Sequence, residues 1–357
     1  MSGPVVPRRS ELDEAYATCR RIAAEHGRTY YLATALLSPR RRRAVHALYA
    51  FARMVDDIVD HADDPGRVLD PVDRTAALPP SFAPTSGAET PMAGDAARYS
   101  TARAAFGPAG DHSTSPAQHL DLVEKQLRLA IEQGDVDTTD PRRRQIIAAT
   151  AETIAHYHIA HAHIWTFLDA MRMDVPGTTV HRTHYASMAE LRGYMRGSAA
   201  AIGLQLLPVL GTVVPIEEAE PAAAALGEAF QVTNFLRDVA EDLDRGRVYL
   251  PADELAAFDV DEARLRACRA AGRTDQPTRR ALAHLIAVNR DIYRRALPGI
   301  DLLAPRVRPA IRTAAVLYAE ILDRIEAADF QIFATRATVP NHRRILVAAK
   351  GFAVPRR

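Results

Sequence analysis

The sequence predicts an all-α fold, a bundle of helices around an apolar centre, and three observations carry that prediction. Period-two alternation bounded by turn residues is almost absent. Apolar residues recur at helical spacing nearly everywhere outside one region. Several segments, SAAAIGLQLLPVLG among them, are apolar all round, as helices in the middle of an assembly are.

Ser38-Pro39 starts a helix, a capping residue followed by proline at the first helical position, and RRRRAVHALYAFARMVDDIVDH continues it for about six turns to His61. Residues 62–116 change in composition: stretches such as DPGRVLDPVDRTAALPPSFAPTSGAETPMAGD are rich in Pro, Gly, Ser, Thr and Asp. Such a segment cannot bury enough apolar surface to offset its ordering entropy. It reads as a disordered or loosely packed insertion, with a short helix at 97–105, inside a single domain spanning 1–357, because the same patterning resumes after it. Helices are expected at 118–133, 141–173, 188–210, 216–243, 253–257, 261–271, 276–297 and 306–334.

Bulk properties narrow the function classes. A hydrophobic share of 48% and a charged share of 25% are those of a folded protein with a sizeable core. Net charge +1 and 6% aromatics suggest no nucleic-acid partner, so any anion binding must be local. Cys19 and Cys268 have no metal-type spacing, which fits a reducing compartment, the cytoplasm by default. No run approaches the ~18 apolar residues of a spanning helix, which leaves peripheral membrane contact as the closest association with a bilayer.

Two acidic clusters stand out. In ARMVDDIVDH, Asp56 and Asp60 lie one turn apart on one helix face with Asp57 beside them. A solvated helix end would look the same, but this helix is apolar on most of its circumference, so at least one carboxylate should point inward, where unpaired charge is costly. In QVTNFLRDVAEDLDRGR, Asn234, Asp238 and Asp242 fall at i, i+4 and i+8 and form an oxygen-bearing stripe. Hard oxygen ligands without nearby Cys or paired His favour Mg²⁺, with Mn²⁺ as the alternative, and Mg²⁺ completes its shell with water and substrate phosphate. Two acidic faces, each too poor to cage a metal alone, suggest ions bridged by a diphosphate. Arg53, Arg237, Arg245 and Arg247 stand beside these carboxylates. Their guanidinium forks suit phosphate oxygens, or equally the carboxylates themselves.

HGRTYYLATALL, ALYAFARMVDDIVD, YMRGSAAAIG, QVTNFLRDVAEDLDRGRVYLPADELAAF and the tail LYAEILDRIEAADFQIFATRATVP resemble, in that order, the signature blocks of the squalene and phytoene synthases, the head-to-head isoprenoid synthases. The resemblance covers most of the chain from about His26 to Pro340, apart from the insertion. It implies a single isoprenoid-synthase helical domain with a central apolar tunnel and two aspartate-rich motifs at its mouth. Asp56, Asp57 and Asp60 match the first metal-binding motif, and Asn234, Asp238 and Asp242 the second, with Glu241 at the acidic position beside it. Tyr49, Arg53, Gln231 and Arg237 match positions near the diphosphates, Arg247 belongs to the following R-G-R-x-Y-L-P block, and Tyr249 matches the family's downstream tyrosine.

The implied reaction condenses two prenyl diphosphates through a cyclopropylcarbinyl diphosphate. N-x-x-R-D and R-G-R-V-Y-L-P-x-D-E-L look most similar to bacterial phytoene synthases, which use geranylgeranyl diphosphate and need no nicotinamide cofactor. A farnesyl-using synthase of squalene, presqualene diphosphate or dehydrosqualene is the runner-up, and a noncatalytic prenyl diphosphate-binding paralogue is the alternative of another class. Oligomeric state is not legible.

Two departures and two discounted signals complete the reading. Arg196 in Tyr194-Met195-Arg196 stands where the family has an aromatic, and is expected to face outward because buried unpaired charge is rare. The segment after Asp174 looks longer than usual, with Tyr185 the match to a family tyrosine. His156, His158, His161 and His163 invite a zinc site, but only His158 and His161 would share a helix face, and no third ligand is evident. Arg40 to Arg43 read as a solvated face or a contact with anionic lipid.

Overall fold

The computed structural model describes residues 9–26, 28–60 and 115–353. Residues 61–114, with nearly all of the expected insertion and its candidate helix at 97–105, lie outside the described residues. Among the described residues the regular structure is helical, with only the isolated bridges His184 to Val248 and Thr212 to Leu303.

Two helices precede the first one expected from sequence: α1 (Arg9–His26) and α2 (Arg28–Thr34). α1 packs on α3 (Pro39–Asp60) and on α5 (Pro141–Tyr157), burying Tyr16, Cys19 and Ile22. The arginine run opening α3 is not a uniform solvated face. Arg42 donates to the carbonyls of Thr34, Ala35 and Leu37, satisfying acceptors at the α2 C-terminus, and Arg43 lies over the Tyr16 ring. α4 (Pro116–Gln133) starts two residues earlier than expected because Ser115 and Gln118 form a reciprocal capping box ahead of Pro116, and it ends at Gly134 with φ 75°.

The helix expected over 141–173 is two helices. His158 adopts a left-handed conformation, φ 53°, closing α5, and α6 (His161–Arg172) starts after it. His158 and His161 therefore do not share a helix face. The 188–210 segment is α7 (Met188–Met195), one π turn (Arg196–Ala200) and α8 (Ala201–Leu210). Arg196 is exposed, as expected. α9 (Ile216–Asp244) is the central strut, packed against the π turn, α8, α12 (Gln276–Ala296) and α13 (Arg308–Ala327). The π turn and α8 approach α9 so closely that a Cβ at Gly203 would overlap the Ala223 carbonyl, and one at Gly227 that of Ala199. α10 (Ala252–Ala256) and α11 (Glu262–Ala271) are short connectors.

α13 stops at Ala327, seven residues before the expected end, because Asp329 and Phe330 both have positive φ and Thr274 Oγ1 donates to the Phe330 carbonyl at 2.6 Å. The chain then crosses to α14 (Asn341–Ala353), which the sequence did not suggest and which packs on α13 and α2. Phe51, Leu236, Leu127 and Ile154 are among the fully buried core side chains, each contributing roughly 1.5–3 kcal/mol of burial. A second apolar cluster, with Leu207, Leu210, Ile300, Leu303 and Ala310, packs around one end of α9.

Candidate functional site

A cavity of about 720 Å³ runs through the bundle, large within the ~300–1,000 Å³ typical of ligand pockets. Its lining follows α9 from Ala219 to Asp242, roughly 35 Å at 1.5 Å per residue. The Ala219 end is lined by Leu207, Leu210, Ile300 and Leu303, and the Asp242 end carries nearly all the charge. The i, i+4 spacing on α9 places Asn234, Asp238 and Asp242 on the lumen side, while Val239 and Leu243 are buried in the core. Opposite them, the last turns of α3 present Tyr49, Arg53, Asp56 and Asp60.

Gln231, Arg237, Arg247 and Tyr249 line the same space, so the cavity gathers every site residue proposed from sequence except Asp57. Asp57 is ion-paired with Arg53 one turn before it. Arg237 grips Asp238 with two hydrogen bonds, 2.7 Å from Nε and 2.5 Å from the terminal nitrogen. Arg245 and Arg247 reach from the loop after α9 to Asp60 at 3.4 and 3.5 Å. These pairs tie the two acidic faces together.

Electrostatics divide the carboxylates. Burial pushes Asp56 up to about 7 and Asp242 up to about 8, in the latter case with the Asp238 charge adding to the effect. Asp238 is also desolvated, yet the hydrogen bonds from Arg237 and Arg336 more than offset this and hold it below the usual range. Asn234 Oδ1 is buried without a hydrogen-bond partner. A buried acceptor lacking a donor and two carboxyls that resist ionisation mark a pocket short of positive charge, and every donor atom is a hard oxygen. The residues therefore fit a divalent cation of the Mg²⁺ type. Among the described residues no three acidic, His or Cys side chains converge tightly enough to hold an ion by themselves, so water and a ligand's oxygens would complete the shell.

Several cavity residues carry no sequence signal of their own. Arg336, in the crossing between α13 and α14, donates through Nε to Asp238 at 2.8 Å and lies 3.6 Å from Glu241. The Tyr30 and Tyr318 rings meet at 5.0 Å and those of Phe230 and Tyr318 at 4.5 Å, both pairs tilted, forming an aromatic wall just below the charged end. Asp174, beyond the end of α6, is 4% exposed. Apart from Phe230, one turn before Asn234 on α9, these residues are brought in by chain segments far from either acidic motif, so spacing could not reveal them.

Comparison with known proteins identifies a family and a fold. A family model described as squalene/phytoene synthase matches residues 23–343. The chain is 29% identical over 344 residues to a phytoene synthase of Arthrospira platensis, covering 93% of this chain and 91% of that one. It is 30% identical over 348 residues to the chloroplastic phytoene synthase 1 of Arabidopsis thaliana, covering 96% and 67%. A crystal structure of a dehydrosqualene synthase superimposes with a TM-score of 0.71 at 22% identity, over 96% of this chain and 97% of the other. Among the described residues no helix is long and apolar enough to cross a membrane.

Proposed function

The chain belongs to the squalene/phytoene synthase family, and on that premise we propose that it joins two geranylgeranyl diphosphates head to head, through a cyclopropylcarbinyl diphosphate, to phytoene. The observation that carries the proposal is one cavity with two facing acidic motifs and arginines at one end and a long apolar lumen behind them. The C20 substrate and the carotenoid product are supported by the two phytoene synthases at 29% and 30% identity.

The arrangement suits the chemistry step by step. Asp56, Asp57, Asp60, Asn234, Asp238 and Asp242 would hold Mg²⁺ or Mn²⁺, which when bound supplies positive charge to a departing diphosphate. Arg53, Arg237, Arg247 and Arg336 present guanidinium donors around the same volume, and Tyr49, Gln231 and Tyr249 add polar groups. As the C–O bond of one substrate breaks, diphosphate takes the electron pair, and the double bond of the second substrate attacks the allylic cation. Loss of one proton closes the cyclopropane. Loss of the second diphosphate, rearrangement and loss of a second proton then give the hydrocarbon, with no reductant consumed. Residues such as Leu206, Leu226, Phe230 and Ile202 line the lumen and exclude water that would quench the cations.

Incubating purified protein and Mg²⁺ with geranylgeranyl or farnesyl diphosphate, with and without NADPH, tests this. A C40 hydrocarbon from geranylgeranyl diphosphate without NADPH is expected. A C30 product alone would overturn the phytoene assignment, and no product from either substrate would overturn the enzymatic one.

A further inference from the structure

Asp174 belongs to neither acidic motif, yet it is one of the most heavily engaged side chains in the cavity wall. Its Oδ2 accepts the Tyr194 hydroxyl at 2.5 Å and its Oδ1 accepts the Tyr249 hydroxyl at 3.1 Å. Its backbone carbonyl accepts from Arg247 at 3.2 Å, the same guanidinium that reaches Asp60. Asp174, Tyr194, Tyr249 and Arg247 all line the cavity, and the first three are 4%, 3% and 7% exposed. The Tyr249 ring is held by Phe235 at 4.3 Å and by Tyr185 at 5.9 Å, both nearly parallel to it.

Placing a carboxylate here is expensive, since desolvating an ion costs several kcal/mol unless hydrogen bonds return it. Anchoring two aromatic rings does not require one, because stacking already fixes the Tyr249 plane. What a carboxylate offers is a separate acceptor oxygen for each phenol, with no N–H to compete for the phenol lone pairs. Each phenol has one proton, and here both protons point to Asp174. Only the oxygen lone pairs are then left to face anything in the lumen.

We propose that Asp174 is a positioning residue for the condensation: it holds Tyr194 and Tyr249 as hydrogen-bond acceptors at the lumen wall, so that electron-rich oxygens face the positive charge that develops on the prenyl chains. This rests on the head-to-head reaction proposed above. It also assigns Tyr249 to the cation side of the site, with its proton already committed, in place of donating to diphosphate. Preorganised dipoles aimed at developing charge act on the transition state more than on substrate binding, so the effect belongs in kcat.

The test is a double-mutant cycle on the full chain with Mg²⁺, reading diphosphate release with whichever prenyl diphosphate the wild type turns over. Asp174→Asn should lower kcat about 30-fold or more with KM changed by less than about threefold. In a Tyr194→Phe, Tyr249→Phe background the same substitution should cost no more than about threefold, since the groups it acts through are gone. Multiplicative losses, a change confined to KM, or unchanged kcat per folded molecule with only a lower melting temperature would overturn the proposal. If Asp174→Asn does not fold, the two Tyr→Phe variants decide: reduced kcat at constant KM supports the proposal, and wild-type kcat overturns it. A wild type that makes only a C30 product removes the geranylgeranyl assignment while the cycle is read with farnesyl diphosphate; a wild type that turns over neither substrate removes both.

Discussion

Replacing Asp242 by Asn should make the metal-free protein more stable while destroying its turnover. Burial, then the Asp238 charge, push the folded-state carboxyl to about 8, against about 3.9 in an unfolded chain. Between these values the native state keeps a proton that the unfolded state has lost, so stability is full below pH ~4 and declines as pH rises toward ~8. Taken as an isolated site the decline would amount to roughly 6 kcal/mol at 1.4 kcal/mol per unit. Asp242 is only partly buried at the charged end of the cavity, so solvent screening brings the expected difference to about 1–2 kcal/mol. The amide of Asp242→Asn carries no such cost. Thermal unfolding in EDTA at pH 5, 6.5 and 8 should show the variant gaining on the wild type as pH rises, with a melting temperature roughly 2–6 °C higher at pH 8. Mg²⁺ should then stabilise the wild type more than the variant. A variant equal to or less stable than wild type at pH 8 without metal would refute the idea that this carboxylate is kept at a cost to the fold.

Asp57→Asn and Asp238→Asn should each lower turnover by about 10²-fold or more with the helical circular dichroism unchanged, and retained activity would contradict the ion-ligand role proposed for them. Gly227→Ala should destabilise the fold by about 1–3 kcal/mol, because the added Cβ overlaps the Ala199 carbonyl where the π turn crosses α9; an unchanged melting temperature would show that the crossing can relax. Glu320 is 8% exposed and accepts from Arg324 and Arg343, both at 2.9 Å. Burial alone would raise its carboxyl, but these arginines hold it below the ordinary value. Its contribution is therefore present above pH ~4.3 and lost as pH falls through the lower folded value. Glu320→Gln should cost about 1–3 kcal/mol at pH 7 and expose α14 to proteolysis, with the difference from wild type closing in acid.

Helix identity and both acidic motifs were legible because they are local. A stripe at i, i+4 and i+8 faces one direction whatever surrounds it, so spacing alone groups Asn234, Asp238 and Asp242. Helix ends were less legible wherever tertiary contacts set them. The break at His158 and the stop at Asp329 and Phe330 both use left-handed residues other than glycine, conformations that surrounding packing must support. α1 escaped because its charged residues dilute the apolar stripe of Tyr16, Cys19 and Ile22, which becomes clear only against α3 and α5.

The sequence by itself determined that the chain is helical, that two oxygen-rich faces exist and which chemistry such oxygens and arginines prefer. Those properties follow from side-chain type and the 3.6-residue period, both available within a few residues. Only the tertiary structure decided that Arg247 bridges Asp60 and the Asp174 carbonyl, that Arg336 reaches Asp238, and that Asp174 collects two tyrosine hydroxyls. These contacts join segments far apart in the chain, and they depend on how closely helices cross, which small residues such as Gly203 and Gly227 permit and no local pattern specifies.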